Sequence, residues 1–230
     1  MPAQLPTSVG QAPPPDPLTE LTRAKELQRR GRDDLYAVLD AALIAHVGFV
    51  RDGFPVVIPM AYCRDGDTLL VHGSTGAGIS RAAGTGIPMS ATVTVLDGLV
   101  YEGTLFDSTL NYRSAMAFGL AIPVPDSDRE RTVRLISERL MPGRWAEVPV
   151  PTRKQLAATA VLRLPLDRAS VKIRSGAPSE DPTPELWTGH VPIHLAIGAP
   201  VTQGGVDAPV SASVPGALAA FADRFGRLPD

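Results

Sequence analysis

The sequence predicts a mainly β domain with a few helices, in which antiparallel strands joined by hairpins close into a small barrel. Three observations predict it. His46–Ser74 (HVGFVRDGFPVVIPMAYCRDGDTLLVHGS) holds three short apolar runs joined by two Asp-Gly pairs, Asp52-Gly53 and Asp65-Gly66. Asp-Gly between β-rich runs marks a hairpin, because a type I′ turn needs two residues that tolerate positive φ. Further β-branched runs follow at close spacing, which favours a closed or split barrel over a parallel sheet. The first meander ends in His72-Gly73-Ser74-Thr75-Gly76, a small-residue loop able to admit a phosphate at the barrel rim.

The elements follow in order. Residues 1–17 carry six prolines and almost no large apolar side chain, so they cannot offset their ordering entropy and read as a flexible arm. Leu18–Arg30 reads as a helix closed by Gly31. Asp33 then caps a helix over Asp34–Ala42, with Leu35, Val38, Leu39 and Ala42 on one face. Strands are expected at about 43–50, 55–62 and 68–72. A glycine-broken loop, Gly73–Gly78, leads to a short helix at Ile79–Ala83. Pro88–Leu96 is a β-branched strand, Asp97-Gly98 the next turn, Leu99–Gly103 a fifth strand and Ser114–Ala121 a sixth. Asp126 or Ser127 caps an Arg-rich helix over 128–140, buried through Val133, Ile136 and Leu140 and ended by Pro142-Gly143. Thr152-Arg153-Lys154-Gln155 fits a capping box. Ala158–Leu166 and Ser170–Arg174 read as the last strands, and Gly216–Arg224 as a final short helix. The organisation is thus an arm (1–17), a barrel domain (18–178) and an extension (179–230), with Trp187 and the apolar HVPIHLAIG run packing on the barrel.

Composition excludes several function classes. The 230 residues carry a net charge of −2 with no basic block, so nucleic acid is not an expected partner. No apolar run reaches the length of a membrane span. No secretory signal pattern is visible, and the cytoplasm is the expected compartment. Cys63 is the one cysteine, which rules out an internal disulfide and a Cys-based zinc site. It reads as a small strand residue.

Walker A, GxGxxG, GxSxG and HExxH patterns are absent. His190 and His194 are four apart, but Pro192 lies between them in an extended context, which argues against a shared metal ligand set. His46 reads as a half-buried strand histidine bonded to a neighbouring carbonyl. At His72–Gly76, glycine lets backbone approach a phosphate, Ser74 and Thr75 offer hydroxyls, and Arg81 lies one turn into the following helix. An ordinary strand-to-helix connection is the other reading there. Asn111-Tyr112-Arg113-Ser114 is a second polar cluster. Asn111 suits an amide-like ring edge and Arg113 a phosphate or an anionic ring, and a solvated loop end is the alternative. Lys172 and Arg174 share one strand face, either wet or tuning a bound ring. Trp145 either plugs the core or stacks on an aromatic ligand.

In this order, DDLYAVLDAA, AHVGFVRDGFPVVIPM, DGDTLLVHGS, VTVLDGLV, NYRSAMAFGLA, MPGRW, PTRKQLAATAVLRLPL and ASVKIRSG resemble the pyridoxamine 5′-phosphate oxidase-like, FMN-binding split-barrel family. The similarity is to its nitroimidazole-resistance-type flavoprotein branch, over Gly31–Pro178. The resemblance implies a six-stranded antiparallel split β-barrel, a homodimer, and FMN at each end of the subunit interface. It implies an FMN-dependent oxidoreductase acting on a small organic substrate. The alternatives are a non-catalytic haem- or flavin-binding module, with His46 or His72 as haem ligand, and a deazaflavin (F420)-dependent reductase. Ile58-Pro59-Met60 would run beside the flavin ring through main-chain contacts. His72, Ser74, Thr75, Gly76 and Arg81 match the phosphate and ribityl region, and Asn111, Tyr112, Arg113 and Ser114 the strand start that meets the flavin. Trp145, Lys172 and Arg174 match late positions that reach the site. Ala77-Gly78 stands where many relatives carry a basic pair, leaving Arg81 as the nearby cation. The residues that bind a pyridoxamine phosphate substrate are not matched.

Overall fold

A computed structural model of the chain describes residues 16–74, 86–179, 185–204 and 209–225. The N-terminal arm to residue 15, most of the Gly73–Gly78 loop and the Ile79–Ala83 helix of the sequence reading lie outside these.

Turn chemistry sets the first hairpins. β2 (Ile44–Arg51) pairs with β3 (Phe54–Asp65) from Ile44 opposite Ala61 to Arg51 opposite Phe54. Their turn is Asp52-Gly53 with φ of 51° and 79°, as a type I′ turn demands. The next turn differs from expectation. β4 (Thr68–Ser74) pairs with β3 starting at Asp65 opposite Thr68, so the turn is Gly66-Asp67 and not Asp65-Gly66. Gly66 alone has positive φ there, 58°, the pattern of a type II′ turn with glycine first.

β5 (Ile87–Tyr101) and β6 (Thr109–Pro123) form one long hairpin. The turn expected at Asp97-Gly98 is not made. β5 runs through it, and the pairing slips between Leu96 and Gly98, leaving Asp97 on a bulge. A bulge absorbs one extra residue and re-aims its side chain without ending the strand. The predicted fourth and fifth strands are therefore one.

With β7 (Thr159–Pro165) the ring β6–β7–β4–β3–β2–β5 closes back on β6, all antiparallel. The β6–β7 seam holds by only Ile122 opposite Arg163 and Pro123 opposite Leu162. Residues Tyr112 to Ala117 of β6 pair instead with β8 (Ala169–Arg174). This is a split six-stranded barrel. Two short strands add to it: β1 (Gln28–Arg29) on β8, and β9 (Gly189–Pro192) on β5 at Gly98–Tyr101.

The helix expected over Leu18–Arg30 is not formed. A single 3₁₀ turn at Lys25–Leu27 buries no residue, and β1 follows it. The Gln28 side chain takes the Leu21 N–H and donates to the Thr19 carbonyl, so local side-chain bonding and pairing to β8 replace helical bonding. Gly31 does not close that helix but precedes α1 (Arg32–Asp40) as its N-cap, with Asp33 inside the first turn. Leu35, Val38 and Leu39 of α1 enter the barrel core among Val47, Tyr62, Val93, Leu164 and Leu166. α1 stays there because Tyr62 Oη donates to the Leu39 carbonyl, and Arg64 pairs with Asp40 while lying 4.1 Å over the Tyr36 ring. Arg139 donates to the carbonyls of Asp40 and Ala42 at 2.6 and 3.0 Å, satisfying the open helix end.

α2 (Asp126–Leu140) covers a second, outer core of Cys63, Leu70, Val124 and Val161 through Ile136. Its N-cap is Pro125 and not Asp126 or Ser127, both of which lie inside the helix. α3 (Arg153–Ala158) carries the expected capping box between Thr152 and Gln155. α4 (Ser213–Phe225) docks by Ser213 N and Oγ on the Glu147 carboxylate, at 2.5 and 2.6 Å. No helix among the described residues is long and apolar enough to cross a membrane.

Candidate functional site

The end of α1, the outer faces of β2 and β5, the start of β6 and residues 193–195 surround a cavity of about 590 Å³. Strand alternation sets its floor. Ala45 and Val47 of β2 and Val93 of β5 point into the core, so Ile44, His46, Thr94 and Leu96 point out. Leu43, Ile44, Leu96, Ile193 and Leu195 make much of the lining apolar.

Five polar side chains break that lining: His46, Thr94, Asp97, Arg113 and His194. The bulge at Asp97 turns its carboxylate to Arg113, which grips it with Nε at 2.9 Å and Nη2 at 2.8 Å. The hydrogen bond to Asp97 raises the Arg113 pKa further, so the guanidinium is a permanent charge. Among the described residues Nη1 makes no hydrogen bond, which leaves it for a further acidic group. The extension reaches the cavity through β9, and the Ile193 N–H donates to the Asp97 carbonyl at 3.0 Å. His194 and Leu195 are placed beside that bond.

His46 departs from the sequence reading. It is exposed, and it makes no side-chain hydrogen bond among the described residues. Its strand parity turns it outward, and the nearby carbonyls are engaged in ladders with β3 and β5. Among the described residues no group of three or more His, Cys, Asp or Glu is placed to hold a free metal ion.

A second location is the end of β4. His72 alternates with Leu70, which packs under α2, and its Nδ1 is buried without a hydrogen-bond partner. Gly73 has room on its inner side, where an added Cβ would meet Met60 Cε at 3.6 Å. Ser74 ends β4. Thr75, Gly76 and Arg81 lie outside the described residues.

The other expected site residues divide among several environments. Met60 is in the barrel core and Ile58 packs against it, so only their main chain and Pro59 are available on the outside. Asn111 is buried and occupied: Nδ2 donates to the Gly176 carbonyl at 2.9 Å, and Oδ1 accepts from Arg174 Nη1 at 2.9 Å. Arg174 also faces Glu102 at 3.9 Å, whose carboxylate takes the Ser179 N–H at 2.8 Å. Lys172 Nζ lies 5.8 Å from the centre of the Tyr112 ring and pairs across strands with Ser114. Trp145 sits half-buried in a 3₁₀ turn, Arg144–Ala146, after α2. The structure thus unites Arg113 with His46, which the sequence reading took for a carbonyl-bonded strand residue and named as a haem ligand in its alternative, and with Asp97 and His194, which it had not placed in a site. The run HVPIHLAIG was the signal for the last of these; Asp97 was masked by its turn-like Asp-Gly pair.

The family described as Pyridoxamine 5′-phosphate oxidase matches residues 31–173. Among solved structures, the FAD and haem binding protein from Mycobacterium smegmatis shares 39% identity at a TM-score of 0.77, covering 83% of this chain and 96% of that one. The flavocytochrome Anf3 from Azotobacter vinelandii shares 30% identity at a TM-score of 0.81, covering 87% of this chain and 96% of that one. A protein described as a 5-nitroimidazole antibiotic resistance protein, from Bacteroides thetaiotaomicron, shares the fold at 18% identity and a TM-score of 0.53, over 64% of this chain and 86% of its own. Comparison with curated proteins finds no match. A ring of six antiparallel strands, a family pattern matched over more than half the length, and two solved relatives at 30% identity or above together make this chain a member of the pyridoxamine 5′-phosphate oxidase-like split-barrel family.

Proposed function

We propose that this protein is a redox protein carrying both a flavin and a haem. The cavity carries the haem half of that proposal: about 590 Å³, largely apolar, with two imidazoles and one fixed guanidinium. That volume lies within the range of cofactor pockets. Two relatives of known structure, at 39% and 30% identity, are a FAD and haem binding protein and a flavocytochrome, which supports the pairing. The flavin is FAD on the pattern of the first of these, in place of the FMN expected from sequence, with FMN and F420 as the other outcomes of the test.

The residues present fit such groups. Apolar walls exclude water from a porphyrin face, and Arg113, locked by Asp97, offers a cation to its carboxylates. An unpartnered buried nitrogen such as His72 Nδ1 costs about 1–3 kcal/mol, which a ligand's polar group would recover. When bound, the two groups supply one- and two-electron chemistry that no side chain provides. The chain's own work is to hold them, orient them and keep water out. Oxidoreductase activity on a small organic substrate is part of the same proposal.

Absorbance of the purified chain tests it, with a flavin band near ~450 nm and a haem band near ~400 nm, followed by mass identification of extracted cofactor. Colourless protein that takes up neither flavin nor haemin overturns it. The proposal includes a homodimer, because Val50, Val57 and Leu120 expose 63%, 65% and 52% of their surface on the outer barrel wall. Scattering mass of one chain, at concentrations where cofactor is retained, counts against the dimer.

A further inference from the structure

We infer that His46 and His194 are the two protein ligands of the haem iron, one from the barrel wall and one from the C-terminal extension. This rests on the flavin-and-haem proposal above and deepens it.

The chain has four histidines. His46 and His194 line the same cavity. His190 lies on β9 opposite Val100, and His72 lies on β4 in line with Leu70 under α2. Neither of the two cavity imidazoles makes a side-chain hydrogen bond among the described residues, so each has ring nitrogen free for a metal. Both are carried on anchored backbone. His46 sits mid-strand, paired with Pro59 of β3 on one side and Thr92 of β5 on the other. His194 follows β9, which pairs with Gly98–Tyr101, and it adjoins the 3.0 Å bond from Ile193 N to the Asp97 carbonyl. Trp187, just before β9, packs its ring against that of Tyr101, with centroids 5.3 Å apart and planes tilted by 57°.

The ligand count selects the metal. Two imidazoles do not hold a bare zinc or similar ion, which takes at least three protein ligands. The described residues offer no third His, Cys, Asp or Glu in such a group. Iron in a porphyrin arrives with four in-plane nitrogens and asks the protein for one or two axial ligands. Two imidazoles meet that demand without a surplus, since the one carboxylate of the cavity, Asp97, is held by Arg113. Because the ligands come from two separate parts of the chain, iron would also tie the extension to the barrel.

The test uses the full chain loaded with haemin. We expect a six-coordinate, low-spin spectrum in the native chain. His46→Ala and His194→Ala should each give a five-coordinate, high-spin spectrum by absorbance and electron paramagnetic resonance, with haem affinity reduced about tenfold or more. Added free imidazole should restore the low-spin spectrum in both. His190→Ala, four residues from His194, should leave the spectrum unchanged. Haem loading should also slow proteolysis of the extension in the native chain and not in His194→Ala. A haem-loaded protein that keeps the native low-spin spectrum in either cavity variant overturns the assignment, as does a change confined to His72→Ala. Failure of the native chain to take up haemin at all removes the haem from the proposed function itself, and the assignment with it.

Discussion

Glu102 gives the sharpest test of how the extension is fastened. Its side chain is 1% exposed and faces Arg174, 20% exposed, at 3.9 Å. It also accepts from Ser179 N at 2.8 Å and Ser179 Oγ at 3.2 Å, where the extension begins. Glu102→Gln keeps the shape and an acceptor for Ser179 but removes the charge. Two unit charges at 3.9 Å and an effective dielectric of 20 attract by about 4 kcal/mol. Arg174 keeps its 2.9 Å bond to Asn111 and some access to water, so part of that is recovered. The expected net loss is about 2–3 kcal/mol, at or just below the ~3–5 kcal/mol of breaking a fully buried pair, because Arg174 is partly exposed. At about 2–4 °C per kcal/mol for a chain of this size, Tm should fall by about 5–10 °C, read by calorimetry and urea denaturation together. A Tm within about 1 °C of the native value would refute a structural role for this network. Asn111 and Arg174 would then be free for the ligand contact that the sequence first suggested.

Three further outcomes are expected. Gly98→Ala places a Cβ 2.8 Å from the Val191 carbonyl oxygen, which is backbone and cannot yield, so β9 should lift at a cost of about 1–3 kcal/mol; unchanged hydrogen exchange over 189–192 would contradict this. Burial, reinforced by the Asp65 charge, pushes the Cys63 thiol up to about 12, so a thiol reagent at pH 8 should label it only after unfolding; rapid labelling of the folded chain would count against the placement of Cys63 under α2. Glu147 is held below its ordinary value of 4.5, first by the Ser213 hydroxyl, then by the Ser213 N–H and Arg144. A lowered carboxylate stabilises fully above its unfolded value and loses that contribution as pH falls through the folded one. α4 should therefore loosen below pH 4.5 in the native chain, and Glu147→Gln should abolish that dependence; identical acid profiles from a fluorophore on α4 would show that Glu147 does not hold it.

The sequence by itself determined the first hairpin, the apolar face of α1, the capping box at Thr152 and the family. Each is written in a window of a few residues: positive φ at Asp52-Gly53, period-two alternation along Ile44–Arg51, and Leu35, Val38 and Leu39 at helical spacing. The same local logic failed where a distant partner competes. Asp97-Gly98 has turn chemistry, but pairing with β6 on one side and β9 on the other carries β5 through it. Leu18–Arg30 has helical spacing, yet pairing to β8 takes Gln28 and Arg29. Arg113 was legible as a candidate cation, whereas its carboxylate partner sixteen residues earlier was not. Only tertiary structure decided that His46 and His194 share one cavity. They lie far apart in sequence, and their sharing a cavity depends on barrel closure and on β9 joining β5, neither of which any local pattern encodes.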